Sequence, residues 1–119
     1  MTALNPSSAF QARCSVVHNP PDPPFFLTNH GFLSVEHDTS VIPAGAYLLQ
    51  TDPILDLAKN AVIGTYQTND PVDYGVLFFG HTATPPPIAP GRFSVVRFQV
   101  LPGNTPLNGP FEVVIVSTE

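Results

Sequence analysis

The run FEVVIV, Phe111 to Val116, places Phe111, Val113 and Ile115 on one strand face and Val114 and Val116 on the other, so both faces are apolar. A two-layer sandwich covers only one face of each sheet. The second face of this strand therefore has to meet a loop, an arm or a neighbouring subunit. The run before it, RFSVVRFQVL (Arg92 to Leu101), also lacks strict alternation, and PGNTPLNG joins the two.

Working back toward the N-terminus, short runs rich in Val, Ile, Phe and Tyr alternate with Gly, Pro, Asn and Asp, which is the pattern of an all-β domain. FFLT and GFLSVEH flank Asn29, His30 and Gly31, a turn composition that predicts a hairpin. VIPAG is a proline turn that launches AYLLQT. AVIGTYQT and YGVLFFG, separated by NDPVD, predict a second hairpin with a longer loop. Asp52 as a cap and Pro53 at the first helical position, followed by ILDLAKN, predict one short helix. Seven or eight strands and at most one short helix make a compact β-sandwich of jelly-roll type the expected fold, with a small barrel as the alternative.

Residues 1–24 have a different composition. Pro6, Pro20, Pro21, Pro23 and Pro24 remove backbone donors and favour extended backbone, so this segment is expected to be an extended N-terminal arm with one strand near Gln11 to His18, and residues 25–119 the sandwich domain. Fixing such an arm costs more conformational entropy than burying Phe10, Val16, Val17, Phe25 and Phe26 returns, so it is expected to be disordered unless its backbone also pairs with another sheet, as by strand addition to a neighbouring chain. A second contact candidate is PPPIAP, where Pro85, Pro86, Pro87 and Ile88 stiffen the approach to Arg92 as a strap or contact surface.

Composition narrows function more than any motif does. Charged residues make up 11% of the chain, against roughly 25% in a typical soluble domain, and depletion of charge marks the centre of protein interfaces. Four basic residues against nine acidic ones cannot build the cationic face that binds nucleic acid. No apolar run approaches the ~20 residues of a membrane helix. MTALNPSSAF has neither a basic n-region nor a long apolar core, so no secretory signal is expected.

No catalytic, metal or cofactor-binding residues are assigned. His18, His30, His37 and His81 form no short metal-binding pair along the sequence, and in EHD the strand period sends His37 to the face opposite Glu36 and Asp38. Asp52 with Asp56 and Asp70 with Asp73 are explained by capping and turn formation, and NDPVD lacks the spacing of a calcium loop. The lone Cys14, beside Val16 and Val17, is read as a buried thiol with no activating base near it in sequence. There is no nucleophile elbow and no phosphate loop, and the absence of tryptophan weakens a sugar-stacking platform.

An extended proline-punctuated arm, MTALNPSSAFQARCSVVHNPPDPP, followed by a small charge-poor β domain resembles the layout of capsid cement or decoration proteins of tailed bacteriophages. The resemblance implies a non-enzymatic virion structural protein, made in the host cytoplasm and seated on the outer capsid surface. It further implies self-association as a dimer or trimer, the major capsid protein or an equivalent shell protein as partner, and no cofactor. Arm residues would be clamp contacts. The alternative is a glycan- or receptor-binding sandwich module of the lectin or tail-fibre type, and a third class is a small β-barrel enzyme using the histidines.

Overall fold

A computed structural model describes residues 10–40, 42–51, 60–80 and 91–117. Among the described residues nine strands run in the order β1 (Phe10–Val17), β2 (Phe25–His30), β3 (Phe32–His37), β4 (Ala46–Thr51), β5 (Asn60–Tyr66), β6 (Tyr74–Gly80), β7 (Arg92–Leu101), β8 (Thr105–Pro106) and β9 (Phe111–Ser117). They form two antiparallel sheets, a four-stranded sheet A in the order β2-β1-β9-β5 and a five-stranded sheet B in the order β3-β4-β7-β6, with β8 pairing β7. The all-β sandwich read from the sequence is the observed architecture. The jelly-roll type is a finer statement than these strand orders establish.

The core forms where the central strands turn every second side chain inward. Sheet A contributes Ala12, Cys14 and Val16 from β1 and Phe111, Val113 and Ile115 from β9, while sheet B contributes Tyr47 and Leu49 from β4 and Phe93 and Val95 from β7. Phe32 of β3 completes the cluster, and Phe26, Val62, Leu77 and Phe79 pack against it from the edge strands.

Three expectations are corrected here. The arm does not extend through residue 24, because β1 lies between β2 and β9 and supplies core side chains, with Val16 wholly buried. The alternation of Ala12, Cys14 and Val16 gives this segment an inward face of its own chain to complete, which outweighs its flanking prolines. Secondly, β2 and β3 are not a hairpin. The chain crosses from sheet A to sheet B at Gly31, whose φ of 92° suits glycine and whose Cβ position would lie 2.9 Å from that of Ala12. Asn29 steadies this crossing, its side chain donating to Phe32 O at 2.9 Å and accepting from Phe32 N at 3.0 Å. Thirdly, β5 and β6 also lie in different sheets, so the 67–73 connection is a crossing and not a hairpin loop. The expected helix at residues 52–59 falls outside the described residues.

The 67–73 crossing is secured from inside by a buried arginine. Arg97, on the inward face of β7, is 3% exposed, and its guanidinium donates to Pro110 O (2.9 Å), Leu107 O (3.1 Å) and Gln67 O (2.8 Å). It also lies 3.9 Å above the Tyr66 ring, a cation–π arrangement. Tyr66 OH donates to Asp73 Oδ1 at 2.8 Å, and that carboxylate accepts further bonds from Thr68 and Gln99. The bonds from Gln99 and Tyr66 hold the Asp73 carboxyl below the usual carboxylate range. Gly75 makes room for this network, since a Cβ there would overlap the Tyr66 ring.

Arg97 thus ties the exit of β5, the entry to β9 and the strand it stands on. Arg97→Ala withdraws charge-assisted donors from several part-buried carbonyls and is expected to lower unfolding free energy by about 3 kcal/mol in urea titration. A loss below about 1 kcal/mol would show that the clip is dispensable.

Candidate functional site

Two places in the fold gather side chains that the core does not use. The first is the outer face of sheet B. In β6 the inward residues are Gly75, Leu77 and Phe79, and the outward residues are Tyr74 (62% exposed), Val76 (41%) and Phe78 (56%). Strand register extends this apolar row across the sheet. Val96 stands opposite Phe78 on one side and Ala46 on the other, while Phe98 stands opposite Val76 on one side and Pro106 on the other. The Phe78 and Phe98 rings meet edge to face with centroids 6.0 Å apart. Charge on this face lies toward the β3 side, where Arg92 donates to Glu36 Oε2 at 3.0 Å and Asp38, just past β3, donates its backbone N to Ala46 O at 2.9 Å.

The outer face of sheet A is different. Arg13 stands opposite His30 and Val114, and Ser15 stands opposite Thr28 and Glu112, so polar and charged groups interrupt the apolar residues. A cavity of about 500 Å³ there is lined by Arg13, Ser15, Thr28, Asn29, His30 and Glu112. Val114 and Val116, on the outer face of β9, are half-buried between their neighbours on β1 and β5.

The remaining contact candidates divide. Val16 is in the core and Phe26 packs against it, so neither offers a contact surface. Both were selected for apolarity alone, whereas the period of two in β1 sends Val16 inward. Val17 is half-buried and stands opposite Phe25, which is 49% exposed. Phe10 pairs with Val116 through its backbone, and its side chain lies outside the described residues, as do Pro85, Pro86, Pro87 and Ile88. Sequence reasoning missed Tyr74, Val76, Phe78 and Phe98. The signal was present in YGVLFFG, which is apolar on both faces just as FEVVIV is.

The second place is a histidine cluster. His18, buried just past β1, has its Nδ1 2.8 Å from Tyr47 OH, and His37 at the end of β3 brings its ring centroid within 4.6 Å of that of His18 and 5.5 Å of that of Tyr47. Gly109 N donates to Tyr47 OH at 3.3 Å. His37 Nε2 is buried without a hydrogen-bond partner. As the strand period required, His37 turns inward while Glu36 faces out. A cavity of about 370 Å³ beside the pair is walled by Pro21, Pro23 and Pro24, with Asp22 and Glu36 also lining it. Burial and, after it, the neighbouring His37 push the His18 imidazole toward its neutral form.

The chemistry this cluster offers is limited. Its lining holds no serine or cysteine, and Cys14 is core-bound with its thiol pushed up to about 12 by burial. Among the described residues no three His, Cys, Asp or Glu side chains are placed to hold a metal ion. His30 stands on β2 in the rim of the other cavity, and His81 lies outside the described residues. Among the described residues no helix is long and apolar enough to cross a membrane. No protein-family model, curated protein or solved structure matches the chain.

Histidine burial has a pH signature. An imidazole with an ordinary value near 6.5 that is held lower in the fold binds protons more readily in the unfolded chain. Its contribution to stability is complete above about pH 6.5 and is lost as pH falls through the lower, folded value. Thermal unfolding between pH 7 and pH 5 is expected to show a falling midpoint in the native chain and a flatter profile in His18→Gln. Identical slopes in the two proteins would remove His18 as the source.

Proposed function

We propose that the protein is a non-catalytic virion structural protein, a capsid cement or decoration subunit that docks on the major capsid protein or an equivalent shell protein and also binds itself. The observation that carries this reading is the outer face of sheet B, where Tyr74, Val76, Phe78, Val96 and Phe98 form an apolar surface continuous across β6 and β7. Exposed apolar patches of this kind mark contact sites, and the composition of the whole chain, with 11% charged residues, is in keeping with a contact-rich surface. Enzymatic readings draw no comparable support, because the histidine cluster brings two imidazoles and a phenol together without a nucleophile in its lining.

The structure alters how the reading works. Residues 10–24 are committed to sheet A and its β1–β2 connection, so any clamp made by an arm falls to residues 1–9, and shell contact rests on a sheet face. A place on the outer capsid surface follows from the proposed function.

Co-sedimentation with capsid shells assembled from the proposed partner, the major capsid protein, tests the reading. Saturable binding is expected, weakened about 10- to 30-fold by Phe98→Ser, since a buried phenylalanine contributes roughly 2 kcal/mol. Folded protein that ignores the shells, or that binds them equally well with Phe98→Ser, would overturn it, as would specific capture on a glycan array.

A further inference from the structure

The sandwich has two open sides, and they are built differently. On one side lie the edge strands β2 and β3, whose sequences include Asn29, His30, Glu36 and His37, with Pro23 and Pro24 immediately before β2. Charge and proline at an edge are the usual means of keeping other strands from pairing there. On the other side lie β5 (NAVIGTY) and β6 (YGVLFFG), which carry no charged residue and no proline. Among the described residues, β6 pairs with β7 only, so its second edge is left without a strand partner.

We propose that β6 pairs antiparallel with β6 of a second copy, extending sheet B across a two-fold axis at Val76. This rests on the self-association in the proposed function and specifies its interface. The occupant is read from the strand itself, because YGVLFFG is self-complementary. With Val76 opposite its own symmetry mate, Tyr74 of each copy stands opposite Phe78 of the other, and aromatic pairs are among the favoured cross-strand neighbours. In an isologous contact a residue meets its own copy only at the axis, so a charge close to the axis faces its like, and β6 carries none. The nearest acidic side chain, Asp73, would sit about 20 Å from its mate, six strand positions away, which exceeds the screening length of about 8 Å in physiological salt. β5 borders the same side and adds no charge to it. The seam also joins the apolar outer faces of two copies of sheet B, doubling the surface offered to a shell.

Register-specific crosslinking tests this in the full chain. Mild oxidation of Val76→Cys is expected to give disulfide-linked dimers, because directly opposed antiparallel residues lie within disulfide reach. Leu33→Cys, more accessible at 61% exposure than Val76 at 41% but on the opposite edge strand, is expected to stay single, and the native Cys14 is too deeply buried to compete. In light scattering, the native protein is expected at twice the chain mass, and Val76→Lys at the mass of one chain with self-association weakened at least tenfold. A native protein that stays single at the highest soluble concentration overturns the pairing, while shell binding through Phe98 is judged separately by co-sedimentation. A dimer that persists in Val76→Lys, with no crosslink in Val76→Cys, overturns the β6 seam and leaves self-association in place through another surface. If Val76→Lys fails to fold, the crosslinking contrast alone decides.

Discussion

A β-strand offers side chains to two faces, and a two-layer sandwich covers one of them. Everything distinctive about this protein follows from how it treats the other face. In sheet A the outward positions of β1, β2 and β9 mix Arg13, Ser15, Thr28, His30 and Glu112 with Val114, a surface that water can solvate. In sheet B the outward positions of β6 and β7 include Tyr74, Val76, Phe78, Val96 and Phe98. The core consumes the inward residues of both sheets, and packing among the described residues leaves the second set facing outward.

The position of β6 depends on the buried cation beneath it. Desolvating a guanidinium is costly unless its donors are met, and Arg97 meets them with backbone carbonyls and the Tyr66 ring. Two of these carbonyls, those of Leu107 and Pro110, belong to the 107–110 connection, whose Asn108 Oδ1 accepts from Gly45 N at 2.7 Å and whose Gly109 N donates to Tyr47 OH. One loop is thereby held between Arg97 and the tyrosine that hydrogen-bonds His18. The histidine cluster and the β5–β6 side share this loop, and both are fixed by groups in the interior.

Local sequence identified strands well because runs rich in Val, Ile, Phe and Tyr stand between turn residues, as RFSVVRFQVL stands before PGNTPLNG. It did not identify partners. Asn29-His30-Gly31 and NDPVD have turn chemistry that serves a hairpin and a crossing equally, and the choice is made by distant pairings, β1 with β9 and β4 with β7. Proline misled for a similar reason: Pro20 to Pro24 describe the connection after β1, while the alternation of Ala12, Cys14 and Val16 was the better guide to β1 itself. Val16 was legible as apolar, but its direction depends on the sheet it joins. The outer face of sheet B was legible in principle, since YGVLFFG shows the same two-faced apolarity as FEVVIV. Arg97 was not, because four sparse cations look like surface residues until the carbonyls around one of them are in place.

The central claim is that another molecule completes the outer side of sheet B at β6. Hydrogen exchange of individual amides, compared at low and high protein concentration, tests it most directly, because a paired edge protects its own backbone. The account predicts that amides between Tyr74 and Gly80 slow as concentration rises while those of β3 do not change. Exchange in β6 that is independent of concentration, or slowing spread evenly over both open sides of the sandwich, would contradict it.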